Sequence, residues 1–186
     1  MPKVNKTKYA LLGVLTVMPG SGYDIKKFCD YSISHFWNEN YARIYPVLKE
    51  MEREGLVDKS VEQNEGRPQK NIYSITPLGE AELEQWLLEP AEETPARCEF
   101  LLKLFFADRI PRENLLQKIA AEKLKNEKLL EVYNQKAEHL AQSAETNSHK
   151  NLQLWLAAVN YGRCNAQASI RWCDETLESL KEEIIL

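Results

Sequence analysis

The chain has 186 residues, 44% of them hydrophobic and 28% charged, with a formal net charge of −4. That length suffices for one or two small domains with real cores. No apolar run approaches the roughly 20 residues needed to span a bilayer, and the acidic total excludes a generally basic nucleic-acid-coating protein.

Charge distribution matters more than the total. Residues 1–88 hold 11 basic and 12 acidic side chains, and residues 89–186 hold 13 and 16. Glu80, Glu82 and Glu84 fall in one late helix, and without them residues 1–79 hold 11 basic against 9 acidic side chains. The N-terminal region can therefore present a local basic face. The opening "MPKVNKTKYALLGVLTV" superficially resembles a signal peptide, with lysines before an apolar stretch. The stretch is short and lacks a small-x-small cleavage site, so it reads as a first helix and the protein as cytoplasmic. Cys29, Cys98, Cys164 and Cys173 form no CxxC pair, and His35, His139 and His149 are scattered. Structural zinc needs clustered ligands and is not expected. Cys164 and Cys173 point to nearly opposite sides of one helix, and all four thiols are expected to be buried and reduced.

The elements follow in chain order. In "TKYALLGVLTV", Tyr9, Leu12, Val14, Leu15 and Val17 supply the apolar side of a helix. "MPGSG" ends it. A second helix opens at Tyr23 or Asp24, with Ile25, Phe28 and Cys29 inward. Asn38 and Asn40 both suit the N-cap of a third helix, because a short amide accepts from free backbone N–H groups. In that helix Ile44, Val47, Leu48 and Met51 make the buried side, and Tyr41, Tyr45 and Lys49 make a second side with Arg43 beside it. Gly55 stops it. Pro46 predicts a bend or an irregular first turn. "LVDKSVEQ" and "QKNIYSIT" read as strands joined by the turn "NEGRP". Thr76 then caps a fourth helix with Pro77 at its first position and Leu78, Leu83, Trp86 and Leu87 inward.

Three helices, a hairpin and a helix make a winged helix-turn-helix, in which the third helix enters the DNA major groove and the wing reaches the backbone or minor groove. The DNA-facing candidates are Asn40, Tyr41, Arg43, Tyr45 and Lys49 on the third helix, and Arg67, Gln69 and Lys70 on the wing. Phenol groups donate to phosphates or bases, and lysine neutralises a phosphate. Exposed tyrosine and lysine equally suit a solvated or partner-packing surface, and winged helices also act as protein-interaction modules.

"YALLGVLTVMPGSGYDIKK", "ARIYPVLKEMEREGLV" and "EGRPQKNIYSITPLGEAEL" resemble, in order and spacing, the motifs of the PadR family of bacterial transcriptional regulators. The matching residues are Gly22-Tyr23-Asp24-Ile25, Ile44-Tyr45-Pro46 through Leu56, and Gly66-Arg67 through Gly79, with Met51 where the family usually has leucine. The long C-terminal region and Phe36-Trp37 look most like the virulence-activator-like (AphA-like) branch. This resemblance implies a winged-helix domain followed by a three-helix domain that makes an antiparallel homodimer, and a sequence-specific regulator of transcription bound to a double-stranded DNA operator.

Beyond the polar linker "LEPAEETPAR" (88–97), with Pro90 and Pro95, "CEFLLKLFFADRI" reads as an apolar helix containing Phe100, Leu101, Leu104 and Phe105. A long helix follows, with Leu115, Ile119, Leu130, Tyr133, Ala137 and Leu140 on one side, and "AETNSHKN" breaks it. The last helix carries Leu152, Trp155, Val159, Gly162, Ala166, Ile170, Cys173, Leu177 and Leu180 in steps of three or four. Its second apolar side carries Leu154, Ala158, Tyr161, Ala168 and Trp172. A helix with two apolar sides is buried between neighbours, and a second copy of the chain would cover the second side, so a homodimer is expected through these helices. The expected fold is mainly α with a small β-hairpin: a winged helix-turn-helix domain at 1–88, a linker at 89–97 and a helical dimerisation domain at 98–186.

The resemblance also implies a small aromatic effector near the dimer interface, for which Trp155, Tyr161 and Trp172 are the candidates, although aromatics at helical spacing most often simply pack. There is no nucleophile–base pair, no paired carboxylates in an apolar setting and no phosphate loop, so neither an enzyme nor a cofactor is expected. The competing reading is a dimeric winged-helix scaffold that binds protein and not DNA.

Overall fold

A computed structural model describes residues 5–34, 36–37, 40–63, 69–92, 97–146 and 150–182, with the backbone alone for Tyr41, for 143–146 and for 182. The elements are α1 (Lys6–Val17), α2 (Gly22–Ser32), α3 (Tyr41–Arg53), β1 (Val57–Glu62), β2 (Lys70–Ile75), α4 (Pro77–Leu88), α5 (Glu99–Phe105), a short 3-10 turn (Ala107–Arg109), α6 (Arg112–Thr146) and α7 (Leu152–Glu182). The chain divides into two compact units, Met1–Thr94 and Pro95–Leu186. No helix among the described residues is long and apolar enough to cross a membrane.

The first unit has one core. Leu11, Leu12, Val14 and Leu15 of α1, Ile25 and Cys29 of α2, and Ile44, Val47, Leu48 and Met51 of α3 meet there with Leu56, Val57, Tyr73 and Leu83. Burying each large aliphatic side chain contributes about 1.5–3 kcal/mol. Tyr9 stacks on Trp86 of α4 with ring centroids 4.4 Å apart. Beside this stack, Glu82 accepts from the Lys8 ammonium at 2.6 Å and from the Tyr9 hydroxyl at 3.0 Å. These contacts hold the Glu82 carboxyl below its ordinary range, the Lys8 hydrogen bond most of all.

β1 and β2 pair antiparallel, from Val57 opposite Ile75 to Glu62 opposite Lys70. The α1–α2 turn joins them: Gly20 and Tyr73 exchange backbone hydrogen bonds of 3.0 and 2.9 Å. The predicted turn at 64–68 lies outside the described residues. Gly55, at φ 72°, ends α3 in the left-handed region that suits glycine. Thr76 caps α4 as expected, its hydroxyl accepting from the Gly79 N–H at 3.1 Å.

Several expectations are corrected. α2 opens at Gly22, not at Tyr23 or Asp24, because Ser21 and Asp24 form a reciprocal capping box. The helical span of α3 continues through Pro46, so the proline does not end it. Leu11 is a core residue that the predicted apolar set omitted. Leu78 and Leu87 face outward, since α4 packs through the side that carries Gly79, Leu83 and Trp86. In α5, for which the sequence assigned no inward side, Leu101 and Phe105 are exposed, Phe105 by 82%, because this helix of seven residues rests on its unit through one side. Cys29 and Cys173 are buried, but Cys98 and Cys164 are exposed; none of the four forms a disulfide.

The second unit is dominated by the antiparallel pair α6 and α7, about 52 and 46 Å long at 1.5 Å per residue. Every member of the predicted first row of α7 is buried or half-buried, whereas Leu154, Ala158, Tyr161 and Ala168 of the second row are exposed. Lys123 of α6 meets Asp174 of α7 at 2.6 Å. Gly162 lets the helices approach closely: a Cβ there would lie 2.2 Å from Cζ of Tyr133.

Gly162→Ala is therefore expected to destabilise the protein by about 1–3 kcal/mol by forcing the Tyr133 ring aside; an unchanged thermal midpoint would count against this packing. In the first unit, Lys70 chiefly, with Ser21, draws the Asp24 carboxyl from 3.8 to about 2. A depressed folded value means stability that is present above the unfolded pKa and lost as pH falls from about 4 toward 2. Asp24→Asn should cost about 1 kcal/mol at neutral pH and flatten that acid limb in urea titrations at stepped pH; a limb of unchanged steepness would contradict it.

Candidate nucleic-acid interface

α3 is anchored by one row, Ile44, Val47, Leu48 and Met51, all buried. At about 100° per residue the opposite direction is centred on Ala42, Lys49 and Arg53. Tyr45 and Glu52 lie on one flank, and Arg43 and Glu50 on the other. The Asn40 side chain accepts from the Ala42 N–H at 3.0 Å and starts the helix, so this predicted DNA contact also serves as the N-cap. Asn38, the other predicted cap, and the side chain of Tyr41 lie outside what is described.

The remaining predicted residues divide into two groups. Arg43 and Lys49 are exposed, and their side chains make no hydrogen bond or ion pair among the described residues. Tyr45 is 48% exposed, and one face of its ring rests on α2: a Cβ on Gly22 would come within 2.7 Å of Tyr45 Cε1. Arg53, which the sequence reading missed, lies one turn beyond Lys49 on the same side and pairs with Glu50 at 3.2 Å. Its spacing of four from Lys49 was the available signal.

On the wing, Arg67 lies outside the described residues. Gln69 is exposed. Lys70 Nζ sits 2.7 Å from Asp24 Oδ2, and this hydrogen bond raises the ammonium pKa. A weaker pair links Lys59 of β1 to Glu52 of α3 at 3.9 Å. Two wing lysines are thus tied to helix carboxylates.

The three effector candidates do not converge within one chain. Trp155 and Trp172 are 17 residues apart on α7, about 25 Å along the axis. Trp172 packs edge-on against Phe100 with centroids 5.9 Å apart, and Tyr161 is 72% exposed. A cavity of about 670 Å³ lies elsewhere in this unit, between α5 and α6. Phe100, Leu104, Phe106, Ile110 and Leu115 line it, with Lys118 at its rim. Lys118 has no acidic partner among the described residues. A smaller cleft of about 200 Å³ in the first unit is lined by Tyr9, Ile33, Phe36, Trp37 and Trp86. No His, Cys, Asp and Glu cluster able to hold a metal ion occurs among the described residues.

Residues 11–85 match the model of the transcriptional regulator PadR-like family, and residues 96–181 match that of the virulence activator alpha C-terminal region. A probable transcriptional regulator of Mycobacterium tuberculosis is 30% identical over 186 residues, covering 94% of this chain and 97% of that protein. The negative transcriptional regulator PadR of Bacillus subtilis is 34% identical over 108 residues, which take in 57% of this chain and 59% of that regulator's length. Its crystal structure with operator DNA superposes with a TM-score of 0.83 at 26% identity, covering 95% of this chain and 99% of that one. The same regulator with p-coumaric acid gives 0.76 at 27% identity, with 94% of each chain covered. The Vibrio cholerae virulence activator AphA gives 0.73 at 27% identity, covering 95% and 98%. With a relative matched along nearly its whole length and the two family models in tandem, the chain belongs to the PadR-like family of transcriptional regulators.

Proposed function

We propose that the protein is a homodimeric, cytoplasmic regulator that binds double-stranded operator DNA through α3 and the wing, and that a small aromatic effector modulates it. In this reading residues 1–88 bind DNA, 89–97 link, and 98–186 dimerise. The observation that carries the proposal is the outward side of α3. Its inner row is fully committed to the core, while Arg43 and Lys49 are exposed and without acidic partners among the described residues. Operator DNA in the structure of the Bacillus subtilis relative supports the same assignment.

Dimerisation is supported by apolar surface that one chain leaves uncovered. Leu154 is 69% and Tyr161 72% exposed on α7, and Leu101, Leu102, Phe105 and Phe106 are exposed around α5. Single exposed apolar residues are ordinary, but a contiguous helical row marks an interface. Cys164 shares that side of α7 and would be covered with it.

The effector is assigned to the cavity between α5 and α6. Its volume falls within the roughly 300–1,000 Å³ of small-molecule sites, much of its lining is apolar or aromatic, its carboxylates Glu99 and Glu122 are ion-paired to Lys103 and Lys125, and Lys118 offers a further cation to an aromatic acid. The p-coumaric acid bound to the Bacillus subtilis relative is of that chemical class.

Lys49→Ala should weaken binding to a labelled duplex from upstream of the protein's own coding region by about five- to tenfold near 0.1 M salt, and reduce the slope of log K against log salt by about 0.9. An unchanged slope would contradict the placement of Lys49 at a phosphate. In sedimentation equilibrium the chain of 21.5 kDa should run at twice its mass, and Tyr161→Glu should return it to a monomer. A wild type that sediments as a single chain would refute the dimer. If the dimer forms but no duplex binds, the protein-interaction reading takes precedence.

A further inference from the structure

Asp24 and Lys70 lie 46 positions apart, yet they meet where α2 and the wing converge. Asp24 Oδ2 accepts from the Ser21 N–H at 2.9 Å and the Ser21 hydroxyl at 2.7 Å, and takes the Lys70 ammonium at 2.7 Å. The backbone bridge between Gly20 and Tyr73 fixes the register of β2 against this turn, and Tyr45 of α3 rests on the neighbouring Gly22. The carboxylate is held by its own helix cap. Lys70 stands on the first residue of β2 with its side chain 44% exposed, so it is the mobile member of the pair.

A lysine contributes to DNA affinity and its salt dependence when it neutralises a phosphate and releases condensed counterions. A lysine already neutralised inside the protein contributes only if it changes partner. We propose that Asp24 is a specificity-determining residue, an internal counterion that occupies Lys70 and keeps it from gripping the backbone of arbitrary duplex DNA. The proposal rests on the reading of α3 and the wing as DNA-facing. To recruit Lys70, a phosphate must displace Asp24 and leave that carboxylate unpaired close to the DNA's own negative charge. Backbone contacts made on any sequence then gain nothing from Lys70, and discrimination stays with the groups on α3.

The test uses the full-length protein and a random-sequence duplex of about 30 base pairs, titrated by fluorescence anisotropy between about 0.05 and 0.3 M salt. Asp24→Asn should bind about fivefold more tightly near 0.1 M salt and steepen the salt slope by about 0.9, one added phosphate contact. Lys70→Ala should keep the wild-type slope, and Asp24→Asn added to Lys70→Ala should not steepen it. Two results overturn the inference: a shallower slope for Lys70→Ala alone, which places Lys70 on phosphate already, or a steeper slope for Asp24→Asn whether or not Lys70 is present, which is a general charge effect. Lys70→Ala leaves the Ser21–Asp24 cap intact, so its arm is readable even if Asp24→Asn folds poorly. If Lys49→Ala also leaves the slope unchanged, the DNA-facing reading itself fails. If Lys49→Ala responds and Asp24→Asn does not, only the counterion role is lost.

Discussion

The outward surface of the N-terminal unit depends on the burial of a single helical row. Ile44, Leu48 and Met51 are fully buried and Val47 nearly so. Rotating α3 by one residue, about 100°, would drive Lys49 or Tyr45 toward the core and strand an apolar row in water, a loss of several kcal/mol by area. The direction in which Arg43, Lys49 and Arg53 project is therefore set by hydrophobic burial, before any ligand is considered. Pro46 fits the same geometry. It lacks the N–H that would reach the Ala42 carbonyl, but both residues are exposed, so water can satisfy that carbonyl and the helix continues.

A second constraint is the attachment of the hairpin. A two-stranded hairpin is marginal alone, and here the α1–α2 turn pairs with Tyr73 while Asp24 and Glu52 hold Lys70 and Lys59. The unit's cations are thus divided by position. Those on the strands of the wing, Lys59 and Lys70, pair with carboxylates of the protein, and those on the outer side of α3 do not, Arg53 excepted. That division explains how a region with nearly equal basic and acidic counts can still present a cationic strip.

Much of this was legible in the residues. The α3 row, the Thr76-Pro77 helix start, the two strands and the whole first row of α7 follow from periodicity and capping chemistry, which are local. What escaped was set by distance in space. The capping box at Ser21 was missed, although a serine three residues before Asp24 is its pattern, because Gly20 and Gly22 read as breakers that push the helix start to Tyr23 or Asp24. Leu78 and Leu87 are apolar, but apolarity does not say which side of a short helix meets a neighbour. The ion pair of Lys70, a candidate phosphate contact, with Asp24 was not foreseen, because a partner 46 residues away leaves no local trace. Trp155, Tyr161 and Trp172 share helical spacing, but that spacing says nothing about the roughly 25 Å of axis separating the first from the last.

The central claim is that the outward side of α3 meets DNA. Lysine acetylation footprinting of the full-length protein, with and without saturating duplex, tests it at one side chain. The account predicts that Lys49 becomes strongly protected while Lys118 and Lys125, on α6, keep their reactivity. Unchanged acetylation of Lys49 alongside protection confined to α6 would contradict it.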